Sequence, residues 1–101
     1  MSGLYEFHKG NWDRGNHEFW KKDSIYMHDD IMYNLNFDAL IHQVVPEYNP
    51  FGETKISKAQ WMDMGKLAME IGGEILELVK EADAWVQDAF AEHEVFTILG
   101  L

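Results

Sequence analysis

Cysteine is absent from the sequence, and its absence excludes several classes of small protein. Zinc–thiolate sites, redox-active dithiols and disulfide scaffolds all need cysteine, so stability has to come from a hydrophobic core. A chain of 101 residues can build one, because a domain of this size buries roughly 60–70% of the surface that its unfolded chain exposes. Apolar residues make up 47% of the sequence, which favours a folded chain over a disordered one. We expect a single domain over residues 1–101.

Basic residues are scarce, with 8 Lys and Arg against 18 Asp and Glu and a formal net charge of −10. A phosphate backbone is held by clustered Lys and Arg, so we expect no direct nucleic-acid partner. The same charge repels anionic lipid, and the sequence lacks the run of about 18 apolar residues that would span a bilayer. Residues 1–6 lack the basic and apolar regions of a secretory signal, which predicts a cytoplasmic protein with no membrane partner.

Motifs for nucleophilic and phosphate chemistry are also absent. There is no Gly-x-Ser-x-Gly elbow, and Gly72-Gly73 follows a helical pattern rather than a strand and lacks a following Lys-Ser or Lys-Thr. Paired carboxylates that meet only in the fold remain open to an acid–base role, but no constellation in the sequence supports an enzyme. We therefore predict no catalytic residues and a non-enzymatic function.

Metal ligation is the next function to consider, because five histidines are scattered among carboxylates. The spacings His-x-x-x-His and Glu-x-x-His place two ligands on one helix face. None of the five histidines belongs to either spacing. Asp13/His17 and Asp38/His42 lie four residues apart, but each is an isolated pair. The consecutive residues His28, Asp29 and Asp30 should point in different directions, and the aspartates are better explained as helix caps. We predict no metal site and no cofactor.

The first half of the chain contains aromatic residues among glycine and asparagine. Tyr5 and Phe7 alternate with polar residues and predict a short strand, and residues 24–27 predict another. A stripe from Tyr33 to Val44 predicts a helix over about 30–44, followed by a loop at 46–52. A hairpin pairing 25–27 with 31–33 is the alternative. Trp12 and Trp20 are interpreted as packing residues, with an interface role as the alternative.

The second half carries the strongest helical signal. Ser57 and Gln60 form a capping-box pattern, with Ile56 and Trp61 placed as a hydrophobic staple. An apolar stripe then recurs in steps of three and four: Trp61, Met64, Ala68, Ile71, Ile75, Leu78, Ala82, Trp85 and Ala89. Because the phase continues across Gly72-Gly73, we predict one helix over about 57–92, bent at the glycines, with a break there as the alternative. A strand near 95–99 completes a helix-dominated α+β fold.

An acidic edge runs beside this stripe. It consists of six carboxylates spaced by four, three, four, seven and four residues: Glu70, Glu74, Glu77, Glu81, Asp88 and Glu92. Like charges at this spacing on a helix repel one another, and a solubilising face is the ordinary explanation of such a run. A binding surface is the alternative, because the repulsion along this edge is avoidable. These six residues are the predicted partner-binding site.

The sequence Ile56 to Trp61 ahead of an acidic amphipathic helix, then Trp85 and the closing residues Phe96 to Leu101, resembles the small acidic immunity proteins of bacterial polymorphic and contact-dependent toxin systems. The resemblance covers roughly the last half of the chain. It implies an inhibitor that neutralises one cognate toxin domain, often a basic nuclease, and it justifies no contact residues beyond the acidic edge. An acidic protein meeting a basic domain also gains a fast, steered encounter.

The alternative is a structural or regulatory homo-oligomer that uses the broad apolar face from Trp61 to Phe90 as its subunit interface. A homodimer is one such assembly. The two functions differ in the surface they use. The inhibitor uses the charged edge of the helix, and the oligomer uses its apolar face.

Overall fold

In the computed structural model, which describes residues 3–12 and 24–100, these residues form four strands and four helices. In chain order they are β1 (Leu4–Lys9), β2 (Ile25–His28), α1 (Asp29–Asn34), α2 (Phe37–Val44), β3 (Glu53–Ser57), α3 (Lys58–Ile71), α4 (Gly73–Glu92) and β4 (Val95–Leu99). The helix-dominated α+β class predicted from the sequence is confirmed. So are the strands predicted near residues 5–7, 24–27 and 95–99.

The strands form one antiparallel sheet in the order β2-β1-β4-β3. Its register pairs Phe7 with Ile98 and Ile56 with Phe96. Side chains alternate between the two faces of a sheet, so these apolar residues lie together on one face. All four are buried and join the side chains of the helices in a single hydrophobic core.

Phe96 lies at the centre of the core. Its ring centroid is 5.8 Å from that of Phe7, 5.7 Å from those of Trp61 and Trp85, and 5.8 Å from that of Phe90. Trp61 belongs to α3, while Trp85 and Phe90 belong to α4. Both long helices therefore pack on the same face of the sheet, around one aromatic cluster.

One strand was missed by the sequence analysis. Residues 53–57 form β3, which pairs with β4, whereas only a loop over 46–52 and a helix from Ser57 were predicted. Buried Thr54 and Ile56 alternate there with exposed Glu53 and Lys55. Five residues give too short a pattern to identify a strand unless its partner, about forty residues later, is known.

The helix predicted over 30–44 is divided into α1 and α2. Asn36 separates them in the left-handed conformation, with φ 59° and ψ 30°. Asparagine adopts this conformation more readily than other non-glycine residues, and it interrupts the helix there. The alternative hairpin does not form, because β2 pairs with β1 instead.

The continuous helix predicted over 57–92 is also wrong: the chain reverses direction at Gly72. Gly72 and Gly73 have φ angles of 71° and 64°, which end α3 and start α4. The Trp61 indole Nε1 donates a hydrogen bond to Asp83 Oδ1 at 2.9 Å. In a straight helix these residues would lie about 33 Å apart. The apolar phase continues across the turn because both helices bury their stripes in the same core.

The predicted start of the helix is confirmed by its hydrogen bonds. Ser57 Oγ accepts from the Gln60 backbone N–H at 3.2 Å, and the Ser57 backbone N–H donates to Gln60 Oε1 at 2.9 Å. Together the two bonds form the expected capping box.

Most of the apolar stripe is buried inside the fold. Its buried members are Trp61, Met64, Ala68, Ile75, Ala82 and Ala89. Leu78 and Trp85 are partly buried against the core, and only Ile71, at the end of α3, is mostly exposed. Much of the face that the homo-oligomer alternative needs as a subunit interface is therefore packed inside the fold, while Met62 and Met69 on the same broad face stay exposed.

Candidate functional site

The acidic edge is divided by the turn at Gly72. Glu70 lies on α3, and the other five carboxylates lie on α4. At about 100° per residue, those five fall within roughly 60° of arc and extend about 27 Å along the helix. All six are exposed. The continuous edge predicted from the sequence thus becomes a row of five carboxylates on one helix, with Glu70 before the turn.

No member of the acidic edge forms an ion pair with any residue that the structure describes. Two lysines of these helices, Lys66 and Lys80, lie at a groove on the other side of α4, between α3 and α4. The charge of the edge is therefore not neutralised within this part of the chain. Such a row produces a local negative potential that attracts cations and basic surfaces.

A cleft between α1 and α4 adjoins the acidic edge and encloses about 560 Å³. Its apolar wall is contributed by both helices and the turn after α1: Ile31, Leu35, Leu76 and Leu78. Ile31 is 41% exposed, and the other three are half-buried. Apolar side chains left open to solvent beside charged groups are characteristic of a binding surface.

Carboxylates line this cleft from α4, and one more lies in a pocket that adjoins it on the side of α1. Glu74, Glu77 and Glu81 line the cleft from α4. Asp30 at the start of α1 shares the smaller adjoining pocket with Glu74. Half of the acidic edge is therefore part of a concave site with an apolar floor. The spacing of the glutamates could be read from the sequence, but the approach of α1 to α4 could not.

A second groove, of about 440 Å³, lies between α3 and α4. Met62 and Met69 line it and are 54% and 71% exposed. Its charged neighbours include Lys66 and Lys80. Asp83 also lines this groove, so charges of both signs border it, whereas the charged residues that line the cleft between α1 and α4 are all carboxylates.

His28, Asp29 and Asp30 converge, contrary to the expectation that they point apart. One ligand atom from each lies within 4.8 Å of the others. His28 Nδ1 is 3.2 Å from Asp29 Oδ1 and 3.5 Å from Asp30 Oδ2. The reason is local: His28 is the N-cap of α1, and its Nδ1 accepts from the Asp30 backbone N–H at 3.3 Å. The two aspartates occupy the first turn, where negative charge stabilises a helix.

Of the two Asp/His pairs spaced by four residues, only one lies in the described part of the chain. Asp38 and His42 both lie on α2 but form no ion pair within the described part of the chain. Asp13, His17 and Trp20 lie outside the described residues, and Trp12 is half-buried.

A buried polar cluster on the other face of the sheet was not identified from the sequence. Glu6 and His8 on β1 are 4% and 3% exposed, and Ser24 Oγ donates to Glu6 Oε2 at 2.9 Å. The imidazole Nδ1 of His8 is 3.8 Å from the same Glu6 oxygen. The alternation of Glu6 and His8 with Tyr5 and Phe7 shows that the two polar side chains share one face of the sheet. Polar residues in such a pattern ordinarily face solvent, so the sequence did not indicate that they are buried.

This cluster contains a serine, a histidine and a carboxylate, the groups of a nucleophilic triad. A triad requires the serine to donate to the histidine, which is itself held by the carboxylate. Here the hydroxyl of Ser24 donates directly to Glu6, and among the described residues His8 Nδ1 has no hydrogen-bond partner. The arrangement therefore does not activate the serine as a nucleophile.

Tyr5, Tyr33 and Tyr48, of which only Tyr5 is fully buried, form a third polar group. The hydroxyls of Tyr5 and Tyr33 are hydrogen-bonded at 2.7 Å. Burial, reinforced by this hydrogen bond, raises the pKa of Tyr5 well above its ordinary value, and burial raises the pKa of Tyr48 to about 12. The hydroxyls of Tyr5 and Tyr48 therefore stay protonated near neutral pH.

In the segments 3–12 and 24–100, no helix combines the length and apolar character that crossing a membrane requires. Comparison with known proteins finds no matching family model, no matching curated protein and no matching solved structure. The functional conclusion is therefore drawn from the acidic edge and the cleft beside it.

Proposed function

We propose that this protein is a non-enzymatic inhibitor of the immunity type, acting in the bacterial cytoplasm. It binds a basic toxin domain, such as a nuclease, through the acidic edge. The observation that supports this proposal is the row of five exposed carboxylates on α4, none of which is paired with a described residue. Repulsion along such a row costs a few tenths of a kcal/mol per adjacent pair, a cost that a solubilising surface does not require.

The chemistry of the edge suits a nuclease partner. A nuclease active site binds phosphate through Lys, Arg or a metal ion, and carboxylates can occupy the same positions with the same sign of charge. Opposite charges also guide the encounter of two proteins, so the edge accelerates association at low salt. An inhibitor that must capture its toxin before damage occurs benefits directly from fast association.

The test uses the protein encoded by the neighbouring open reading frame as the candidate partner, with surface plasmon resonance at two salt concentrations. The variant replaces Glu74, Glu77 and Glu81 by Gln, which preserves size and helix propensity. Its association rate should fall roughly ten-fold at low salt and lose most of its salt dependence, because charges at the rim act mainly on the encounter. Circular dichroism should show unchanged folding.

A matched control removes the same number of charges elsewhere. Glu47, Glu53 and Asp63 are exposed, and none of them lies on α4 or lines the cleft. Replacing them by Gln, Gln and Asn should leave the salt dependence largely intact. Equal effects of the two triple variants would show that only the net charge matters, and this would contradict a binding role for the edge. Failure of the wild-type protein to bind and inhibit the partner would contradict the proposed function itself.

A further inference from the structure

We propose that the cleft between α1 and α4 receives an apolar side chain of the partner that is flanked by Lys or Arg; this inference rests on the proposed function and specifies how the partner binds. Ile31, Leu35, Leu76 and Leu78 form the apolar surface of the cleft. The partner's side chain packs against them, and its basic neighbours reach the carboxylates that line the cleft and its adjoining pocket. The occupant is therefore a basic segment with one aliphatic or aromatic anchor.

The charges at the cleft favour a basic segment as its occupant. Glu74, Glu77 and Glu81 line the cleft from α4, and Asp30 on α1 lines a smaller pocket that adjoins the cleft at Glu74. The lining of the cleft includes no basic residue. An anchor flanked by cations meets these carboxylates, whereas an acidic segment meets only like charge. The groove between α3 and α4 differs from the cleft, since Lys66 and Lys80 border it together with one carboxylate, Asp83.

The apolar wall gives this site a role that the acidic edge alone does not have. Exposed charge pairs are screened by salt and contribute little net affinity. An apolar anchor that is desolvated between charged rims dominates the affinity of many protein interfaces. Ile31 is 41% exposed beside Glu74, so the cleft has apolar surface to offer. The edge then governs the rate of association, and the cleft governs the lifetime of the complex.

A second copy of the chain is a poorer occupant. Each copy carries a net charge of −10, so pairing at this surface would bring two acidic edges together. The exposed apolar residues Met62 and Met69 lie in the groove bordered by Lys66 and Lys80, not in the cleft. Self-association is nevertheless measurable and is included in the test.

The test uses two synthetic helical peptides of equal length and charge. One consists of leucine and lysine with the leucines on one face, and the other has glutamine in place of every leucine. Isothermal titration calorimetry is carried out on the wild-type protein and three variants. We expect the leucine peptide to bind the wild type roughly ten-fold more tightly than the glutamine peptide. Ile31→Ser should reduce this preference to about three-fold or less.

Two further variants separate the cleft from the edge and from the other groove. Met69→Ser removes an apolar side chain that is also exposed, but in the groove between α3 and α4, and should leave the preference unchanged. The triple Glu74, Glu77 and Glu81 to Gln variant should weaken both peptides by roughly ten-fold. Ile31 is exposed enough for its replacement to preserve folding, which circular dichroism verifies.

Each outcome supports or overturns the inference. Equal binding of the two peptides, or a preference that Met69→Ser removes and Ile31→Ser does not, overturns the cleft as the anchor site and leaves the acidic edge in place. If the triple Gln variant binds both peptides as tightly as the wild type does, the acidic edge is not a binding surface, and the proposed function is overturned with it. A dimer seen by light scattering and abolished by Ile31→Ser would show that a second copy occupies the cleft, which also overturns the inference.

Discussion

At the scale of single residues, the fold keeps several polar and ionisable groups away from solvent. Tyr5 is fully buried and shares a hydrogen bond with Tyr33. Ser24 donates to Glu6 beneath the other face of the sheet. In each case the polar group is satisfied by a neighbour brought from a distant part of the sequence. Such groups restrict the fold to one arrangement, because any other packing leaves them buried without partners.

The ionisation of Tyr5 and Tyr48 predicts how stability depends on pH. Their pKa values are raised in the folded protein, to about 12 for Tyr48, above the ordinary value of 10.0 that applies in the unfolded chain. The unfolded state therefore loses these protons first as the pH rises through 10. The free energy of unfolding should include the full contribution of these groups below that pH and should decrease between about pH 10 and pH 12.

Urea denaturation between about pH 10 and pH 12 measures the decrease in the free energy of unfolding, and phenolate absorbance measures the ionisation of the tyrosines directly. Tyr5→Phe removes one of the two groups and should flatten the decrease. A wild-type protein whose unfolding free energy does not change above about pH 10, or whose four tyrosines all ionise together near their ordinary pKa, would contradict the burial of these hydroxyls.

At the scale of elements, the turn between α3 and α4 creates the site. It brings α4 back across the sheet and places the five carboxylates of α4 on an exposed side. Gly72 has φ 71° and ψ −163°, a region that is nearly exclusive to glycine. The Trp61–Asp83 hydrogen bond then joins the two helices further from the turn.

Two alanine substitutions test the turn, because they should change the free energy of unfolding in opposite directions. Gly72→Ala should lower the free energy of unfolding by about 1–3 kcal/mol, because alanine is strained at this φ even though the space around it is open. Gly65→Ala lies within α3, also in open space, and should raise it by roughly 0.5–1 kcal/mol. Urea denaturation measures both. Stabilisation by Gly72→Ala would indicate the continuous helix instead.

The elements differ in how far the sequence predicts them. The helix start at Ser57 depends on two hydrogen bonds within four residues, so local pattern suffices. The reversal at Gly72 was only the alternative to the predicted continuous helix, because hydrophobic phase reports which face is buried and not whether the axis continues. Strand β3 was missed because its pairing with β4 joins distant parts of the chain.

The same distinction applies to the candidate site. Glu74, Glu77 and Glu81 were identified from spacing along one helix. Ile31 and Leu35 were not, because their contribution depends on how α1 and its following turn lie against α4. The division of the first helix at Asn36, which shapes this region, is a single backbone conformation that composition does not reveal.

At the scale of the whole molecule, charge and apolar surface are distributed unevenly. The net charge is −10, and five of the carboxylates lie in one row beside a cleft with an apolar wall. At physiological salt, charges interact over a Debye length of about 8 Å, so a concentrated row acts on a partner more strongly than the same charges spread apart. Concentrating the charge at an apolar cleft is what makes this surface the candidate binding site.

The most direct test of this account is to map the binding surface by NMR. The ¹⁵N-labelled protein is titrated with the leucine–lysine peptide at physiological salt, and amide shifts are followed residue by residue. The account predicts that the largest changes fall in residues 30–35 and 73–81, around the cleft and the adjoining half of the acidic edge. Changes centred on Met62 and Met69, or spread evenly over exposed carboxylates such as Glu47 and Asp63, would contradict it.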